Sequence, residues 1–191
     1  MPWEKTYKEA DVLDAAMRAF WEHGYQGTSM ADLVKATGLN RGSLYAGFKD
    51  KRSLFIAALD HYDSVYRVVF LNQLRELGDP NAAIMAAFSA VETGSDDLPG
   101  GCLMINSTLE VAPHDPEIAE LVEASMGQVE HFFLECLQMA EAQGSLAKGL
   151  RPADTAKVLM GMMVGLLVIT RASPQSPAVA PILRQVREIL A

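Results

Sequence analysis

Cysteine is scarce in this chain: Cys102 and Cys136 are the two it has in 191 residues. Two thiols cannot build the disulfide framework on which small secreted domains depend. No secretory signal stands at the N-terminus, so a reduced, cytosolic protein is expected. Long apolar sequence is missing too. The longest run, counting its glycines, is Val158 to Ile169, which is too short for a membrane span. No alternating strand pattern and no internal repeat is present, which argues against sheets and solenoids. There is no phosphate-cradling glycine loop and no nucleophile elbow. The four histidines, His23, His61, His114 and His131, stand in no metal-ligand spacing with Cys, Asp or Glu. His114-Asp115 sits in a proline-flanked turn and reads as structural. Catalytic residues, a metal site and a cofactor are therefore not expected. Positive charge is also in deficit, with 16 Lys and Arg against 24 Asp and Glu and a net charge of −8.

What is present is a folding chain. Half of the residues are hydrophobic, enough for a substantial core in one or two small domains. The charge is unevenly spread. Residues 1–52 hold 8 basic and 7 acidic residues, a net +1, and residues 53–191 hold 8 and 17, a net −9. Within the first part Lys35, Arg41, Lys49, Lys51 and Arg52 crowd one stretch. A local basic patch of this kind can hold phosphates while the acidic remainder limits non-specific binding.

Helical patterning runs throughout. Val12, Ala16, Ala19 and Phe20 form one stripe of a helix ending at Gly24. The next segment reads as two short helices around a tight turn. Thr28 or Ser29 can cap the first, with Asp32 placed to return the bond. Met30, Leu33 and Val34 give it an apolar face, and Gly38 can take the left-handed conformation that ends it. Asn40 then caps a second helix of about two turns that opens Arg41-Gly42-Ser43. A core helix would not begin this way. A helix whose N-terminus presses on phosphates would, because its unpaired N–H groups and dipole favour anions. This is the pattern of a helix-turn-helix, whose second helix enters the major groove. Asp50 caps a long helix to about Leu77. Further helices are expected at 81–93, 102–111, from Asp115 to about Gln143, from Pro152 to about Arg171, and from Pro181 to Leu190. A loop is expected at 94–101.

The run Ala19-Phe20 to Gly24-Tyr25-Gln26-Gly27-Thr28-Ser29, the run Ala31 to Leu39, and Gly42-Ser43-Leu44-Tyr45-Ala46-Gly47-Phe48-Lys49-Asp50-Lys51 together resemble the DNA-binding domain of the TetR family of transcriptional regulators. One departure is Gly47, where a histidine is commoner. The segment Gly100 to Pro116 is similar to one found in the body of a branch of that family. The resemblance implies an all-α fold of about nine helices. Three would form an N-terminal head (residues 1–50), and six a ligand-binding and dimerisation body (residues 51–191). It implies a repressor that leaves a palindromic double-stranded operator when a small molecule binds. The expected DNA-binding residues are Thr28, Ser29, Asn40, Arg41, Gly42, Ser43, Tyr45, Lys49 and Lys51. Of these Arg41, Gly42 and Ser43 would read bases, and Thr28, Tyr45, Lys49 and Lys51 would hold phosphates.

In the body, Phe88, Cys102, Leu103, Asn106, Met126, Phe133, Met160 and Met163 are candidates to line an effector pocket. Most of the ten methionines lie there, and their deformable side chains suit small hydrophobic ligands. A methionine stripe at helical spacing can equally be plain core. Asn106 and Glu110 share a face, with Glu110 expected to be solvated. Cys102 follows Pro99-Gly100-Gly101 at a helix start, where a thiolate is favoured. An electrophile- or redox-sensing repressor is the alternative, and a helical binding protein without DNA affinity a further one. The helix containing Val158–Ile169 is apolar all round. Gly161, Gly165 and Leu166, with Ile182, Val186 and Ile189 of the amphipathic last helix, are expected to form a homodimer interface of four helices about a two-fold axis.

Overall fold

The computed structural model describes residues 7–94 and 98–191, and all regular structure among them is helical. The head comprises α1 (Glu9–His23), α2 (Met30–Thr37) and α3 (Arg41–Phe48). A long rod follows, made of α4 (Lys51–Tyr62), a π-helical turn (Asp63–Arg67) and α5 (Val68–Arg75). The body continues with α6 (Pro80–Thr93), α7 (Leu103–Glu110), a 3-10 turn (Ala112–His114), α8 (Pro116–Ala142), α9 (Pro152–Ala172) and α10 (Val179–Leu190). Counting the rod once, the described residues form nine α-helices, three in the head and six in the body. The loop expected at 94–101 falls partly on residues 95–97, outside the described residues.

Caps fix most of these boundaries. Asp50, Asp79 and Asp115 accept backbone N–H bonds at the starts of α4, α6 and α8, and prolines open α6, α8 and α9, where a missing N–H costs nothing. The rod departs from the expected single helix. Leu54, Phe55, Ala58, Leu59 and Tyr62 are buried on one stripe of α4, and Arg67, Leu71 and Leu74 continue it. Tyr62 and Arg67 are five apart, and the π turn absorbs the extra residue so that the stripe stays inward. Arg67 pairs with Asp63, whose carboxylate also accepts from Ser125 Oγ at 2.7 Å. Arg67 donates to Gln128 Oε1 at 3.0 Å. The π turn is thus tied to α8.

Two apolar clusters form the core. One lies in the body and includes Phe88, Phe133, Leu159, Met163, Leu166 and Val186. The other holds the head, where Phe20 and Phe55 meet edge-to-face at 4.9 Å. That cluster runs on through Leu103, Met104, Val111, Ile118 and Val122 of the body. Packing therefore does not break at residue 51, and α7 with the start of α8 forms the floor beneath the head.

The apolar run of α9 lies in a helix of 21 residues, longer than the run itself, and by length and composition alone this helix could cross a membrane. Its packing accounts for that character: Ala156, Leu159, Met160, Met163 and Leu166 are buried against the body core. Two of the expected interface residues are corrected here. Leu166 and Val186 are fully buried within their own chain and cannot face a partner. Ile182 and Ile189 are half-buried against the same cluster. Gly161 is exposed and Gly165 half-buried, and a Cβ at either would enter open space. With Val158 and Val168, 53 % and 41 % exposed, they form one stripe at i, i+3, i+7 and i+10 that the chain leaves uncovered.

Candidate nucleic-acid interface

The turn between α2 and α3 is built as its residues dictate. Ser29 Oγ accepts from the Asp32 N–H at 3.2 Å and the Asp32 carboxylate accepts from the Ser29 N–H at 2.8 Å, a reciprocal cap. Gly38 ends α2 at φ 70°, a conformation that suits glycine. Thr37 Oγ1 donates to Leu33 O at 2.7 Å and accepts from the Leu39 N–H at 3.3 Å. Asn40 Oδ1 then accepts from Ser43 N at 2.9 Å to start α3.

Leu44 and Phe48 anchor α3 in the head core. Its outer face carries Arg41, Gly42 and Tyr45, all exposed, with Ser43 half-buried. The Arg41 guanidinium lies 5.5 Å from the Tyr45 ring centroid and donates to Tyr45 Oη at 3.3 Å. The pair presents a cation and a hydroxyl side by side. A Cβ at Gly42 would stand 3.3 Å from the capping Asn40 Oδ1, so glycine keeps both the cap and a bare helix surface. A Cβ at Gly47 would meet Tyr7 Oη at 2.6 Å. The glycine leaves this space to the Tyr7 hydroxyl.

Lys49 is the one described non-glycine residue with positive φ, at 61°. With ψ at −56° and Asp50 N donating to Phe48 O at 2.6 Å, it is the centre of a γ-turn, a strained conformation. Its side chain is exposed beyond the end of α3. Lys35, Arg41 and Lys49 are exposed cations of the helix-turn-helix.

Two expected phosphate contacts are corrected by the structure. Thr28 is fully buried, and its hydroxyl donates to Gly24 O at 2.6 Å, because the chain folds over it between α1 and α2. Lys51 Nζ donates to Tyr25 O at 2.8 Å and Thr28 O at 3.0 Å and lies 4.3 Å from the Tyr25 ring centroid. It braces the head from within. Arg52 also leaves the basic patch: it binds Asp115 at 2.6 and 2.8 Å and Glu117 at 2.7 Å.

The segment from Gly24 to Thr28 is a junction between head and body. Glu110, at the end of α7, accepts from the Tyr25 N–H at 3.0 Å and the Gln26 N–H at 2.7 Å. Its sequence setting predicts a solvated carboxylate; half-buried, it also clasps the turn that leads into α2. Arg171, near the end of α9, donates to Trp21 O at 2.9 Å and Glu22 O at 2.7 Å, the closing carbonyls of α1. Gly27 has no room for a side chain, because the His23 carbonyl fills the place.

Several of the expected effector-pocket residues pack in the body's core. Phe88 and Phe133 stack at 5.8 Å, and with Leu103 and Met163 they are buried in filled core. Asn106 is half-buried on α7. Cys102 is the half-buried N-cap of α7, and its Sγ accepts from Tyr62 Oη at 3.3 Å. Burial, reinforced by Glu135, pushes the Cys136 thiol up to about 11. Of the predicted set, Met126 and Met160 line a cleft of about 440 Å³ beside α8.

This arrangement has known counterparts. Residues 12–58 match the model of the bacterial regulatory proteins of the TetR family, and residues 81–186 match the tetracycline repressor-like C-terminal domain. The chain belongs to the TetR family. Among its relatives is the HTH-type transcriptional repressor ComR of Escherichia coli, 33 % identical over 175 residues, which are 87 % of this chain and 81 % of that one. An HTH-type transcriptional regulator of Bacillus subtilis, YezE, is 35 % identical over 144 residues, 74 % of each chain. Among solved structures, a cysteine-substituted form of the TetR-family regulator CifR bound to 26-base-pair operator DNA superposes with a TM-score of 0.82, at 26 % identity over 98 % of both chains. A TetR regulatory protein from Rhodobacter sphaeroides shares the fold, with a TM-score of 0.85 at 19 % identity, covering 95 % of this chain and 97 % of that one. As a member of the TetR family, the chain is a DNA-binding transcriptional regulator, and its helix-turn-helix is the surface described above.

Proposed function

We propose that the protein is a cytoplasmic homodimeric repressor that holds a palindromic operator with two copies of α3 and releases it when a small molecule binds the body. The observation that carries this reading is the division of α3 into a buried edge, Leu44 and Phe48, and an exposed edge, Arg41, Gly42 and Tyr45. Arg41 and Ser43 face bases in this reading. Tyr45 and Lys49 hold phosphates, and Ser29 and Asn40 present their capped helix N-termini to the backbone. Residues 1–50 supply recognition and residues 51–191 supply sensing and dimerisation. The stripe Val158, Gly161, Gly165 and Val168 meets its copy about a two-fold axis, because close approach there needs no side chain to move. Effector release requires the ligand to favour one head spacing over the other.

A gel shift with the DNA upstream of its own coding region, scanned in short duplexes, tests this. A discrete shifted species on one palindromic duplex, absent with Arg41→Ala, is the expected result. Equal affinity for every duplex contradicts it.

Thiol sensing through Cys102 is the second reading, supported by the Tyr62–Cys102 contact. Reversible binding predicts that Cys102→Ser still releases DNA. Thiol sensing predicts that only the wild type releases it after a mild oxidant, with recovery on reduction.

A further inference from the structure

The cleft beside α8 lies between α8 and the segment formed by α7 and the 3-10 turn. Its volume of about 440 Å³ falls in the usual range for small-molecule sites, roughly 300–1,000 Å³. The floor is apolar, with Val122 and Met126 of α8 and Met160 of α9. The rim carries Glu123 and Glu130, two turns apart on α8 and so on the same side. Among the described residues neither carboxylate takes part in an ion pair, and no Lys, Arg or His lines the cleft. Two unpaired carboxylates over a polarizable, apolar floor select against anions and attract cations. A small hydrated cation would gain nothing from the floor. We propose that this cleft binds a small apolar cation and that such a cation is the effector, an inference that rests on the ligand-released repressor reading above.

The position of the cleft supplies the route to the head. Thr108 Oγ1 lies 3.7 Å from Met126 Sδ, bridging α7 to α8 at the cleft wall. Glu110, two residues further along α7, clasps the N–H groups of Tyr25 and Gln26. A ligand wedged between α8 and α7 therefore bears on the helix whose end holds the α1–α2 junction.

Tetraphenylphosphonium is the probe, and tetraphenylborate is its anionic match in size and shape. Calorimetric titration of the full chain is expected to show saturable binding of the phosphonium and none of the borate. Glu123→Gln and Glu130→Gln should each weaken the phosphonium by about fivefold, the scale of an exposed charge pair. Gly127→Leu places a side chain in the cleft from a position where a Cβ meets nothing within 4 Å, and leucine favours helix. It should abolish binding with circular dichroism unchanged. Operator affinity without probe should stay at the wild-type value in all three variants, and release by phosphonium should follow its affinity. Equal binding of the borate, no binding of either ion, or wild-type phosphonium affinity in the double Gln variant overturns the cation site. Phosphonium binding without operator release overturns its role as effector. Failure of the free protein to hold any operator counts against the repressor reading, and calorimetry then still decides the site.

Discussion

Lys49 joins an exposed cation to a backbone of positive φ. Its γ-turn places a lysine where glycine would be unstrained, at a cost of about 1–3 kcal/mol for such a conformation. Lys49→Gly is therefore expected to raise the melting temperature while weakening operator binding and flattening its salt dependence by about one unit of slope, the signature of one lost phosphate contact. A salt slope equal to the wild type would show that the strained lysine serves something else. Arg41→Ala should instead relax base preference, at a cost of roughly 1–3 kcal/mol on a matched operator if it reads a guanine. Binding to operators mutated one base pair at a time separates the two effects. The cysteines also diverge. Burial holds Cys136 protonated up to about pH 11, so iodoacetamide at pH 8 should spare it in the native protein and modify it after unfolding. Peptide mapping reads this directly. These residue-level identities were legible in sequence for Ser29, Asp32, Gly38 and Asn40, because a cap is a local rule. They were not legible for Thr28 or Lys51. Both stand in a basic, hydroxyl-rich stretch that reads as surface until α1 and α4 close over it.

At the scale of elements, α7 and the start of α8 matter most. Glu110 sits 85 residues from Tyr25 and Arg171 150 residues from Trp21, so no local pattern foretells either clasp. A carboxylate at a helix end reads as solvated until the backbone N–H groups it holds are known. Glu110→Gln keeps one acceptor oxygen and loses the charge, leaving one N–H of the junction poorly paired. A loss of about 1–3 kcal/mol in urea unfolding is expected, with weaker operator binding because the start of α2 loosens. Unchanged stability would mean that the turn holds itself. The Arg52–Asp115 pair gives this floor a pH dependence. The hydrogen bonds from Arg52 hold the Asp115 carboxyl below its usual range. Such a group stabilises the fold above its unfolded pKa of about 3.9, and that contribution is lost as pH falls through the lower folded value. Asp115→Asn should therefore flatten the fall in urea midpoint between about pH 5 and pH 2. The same steep fall in the variant would assign it to other carboxylates. The π turn was illegible for a related reason. Tyr62, Val65, Tyr66 and Val69 offer two competing apolar stripes, and only packing against α8 decides that Arg67 turns inward.

For the whole molecule, the sequence resemblance already placed nine helices and a head of three, and packing refined which apolar residues are spare. Leu166 and Val186 read as interface because α9 and α10 are apolar, but their own chain uses them. The stripe Val158, Gly161, Gly165 and Val168 stays uncovered on α9, and in the proposed dimer it meets a second copy. Gly165→Leu should overpack that contact and shift the dimer toward monomer by a cost of about 1–3 kcal/mol, read as a rise in dimer dissociation constant by sedimentation equilibrium. No change would move the interface elsewhere.

In the proposed complex two chains present two copies of α3 to one palindromic duplex. Sedimentation velocity of the protein with the operator identified by gel shift, and with a duplex carrying a single half-site, counts the chains on each. Two chains of 20.8 kDa should travel with each full operator, with the half-site bound far more weakly and Gly165→Leu losing the difference. A single chain bound as tightly to the half-site as to the full operator would rule out the two-fold complex.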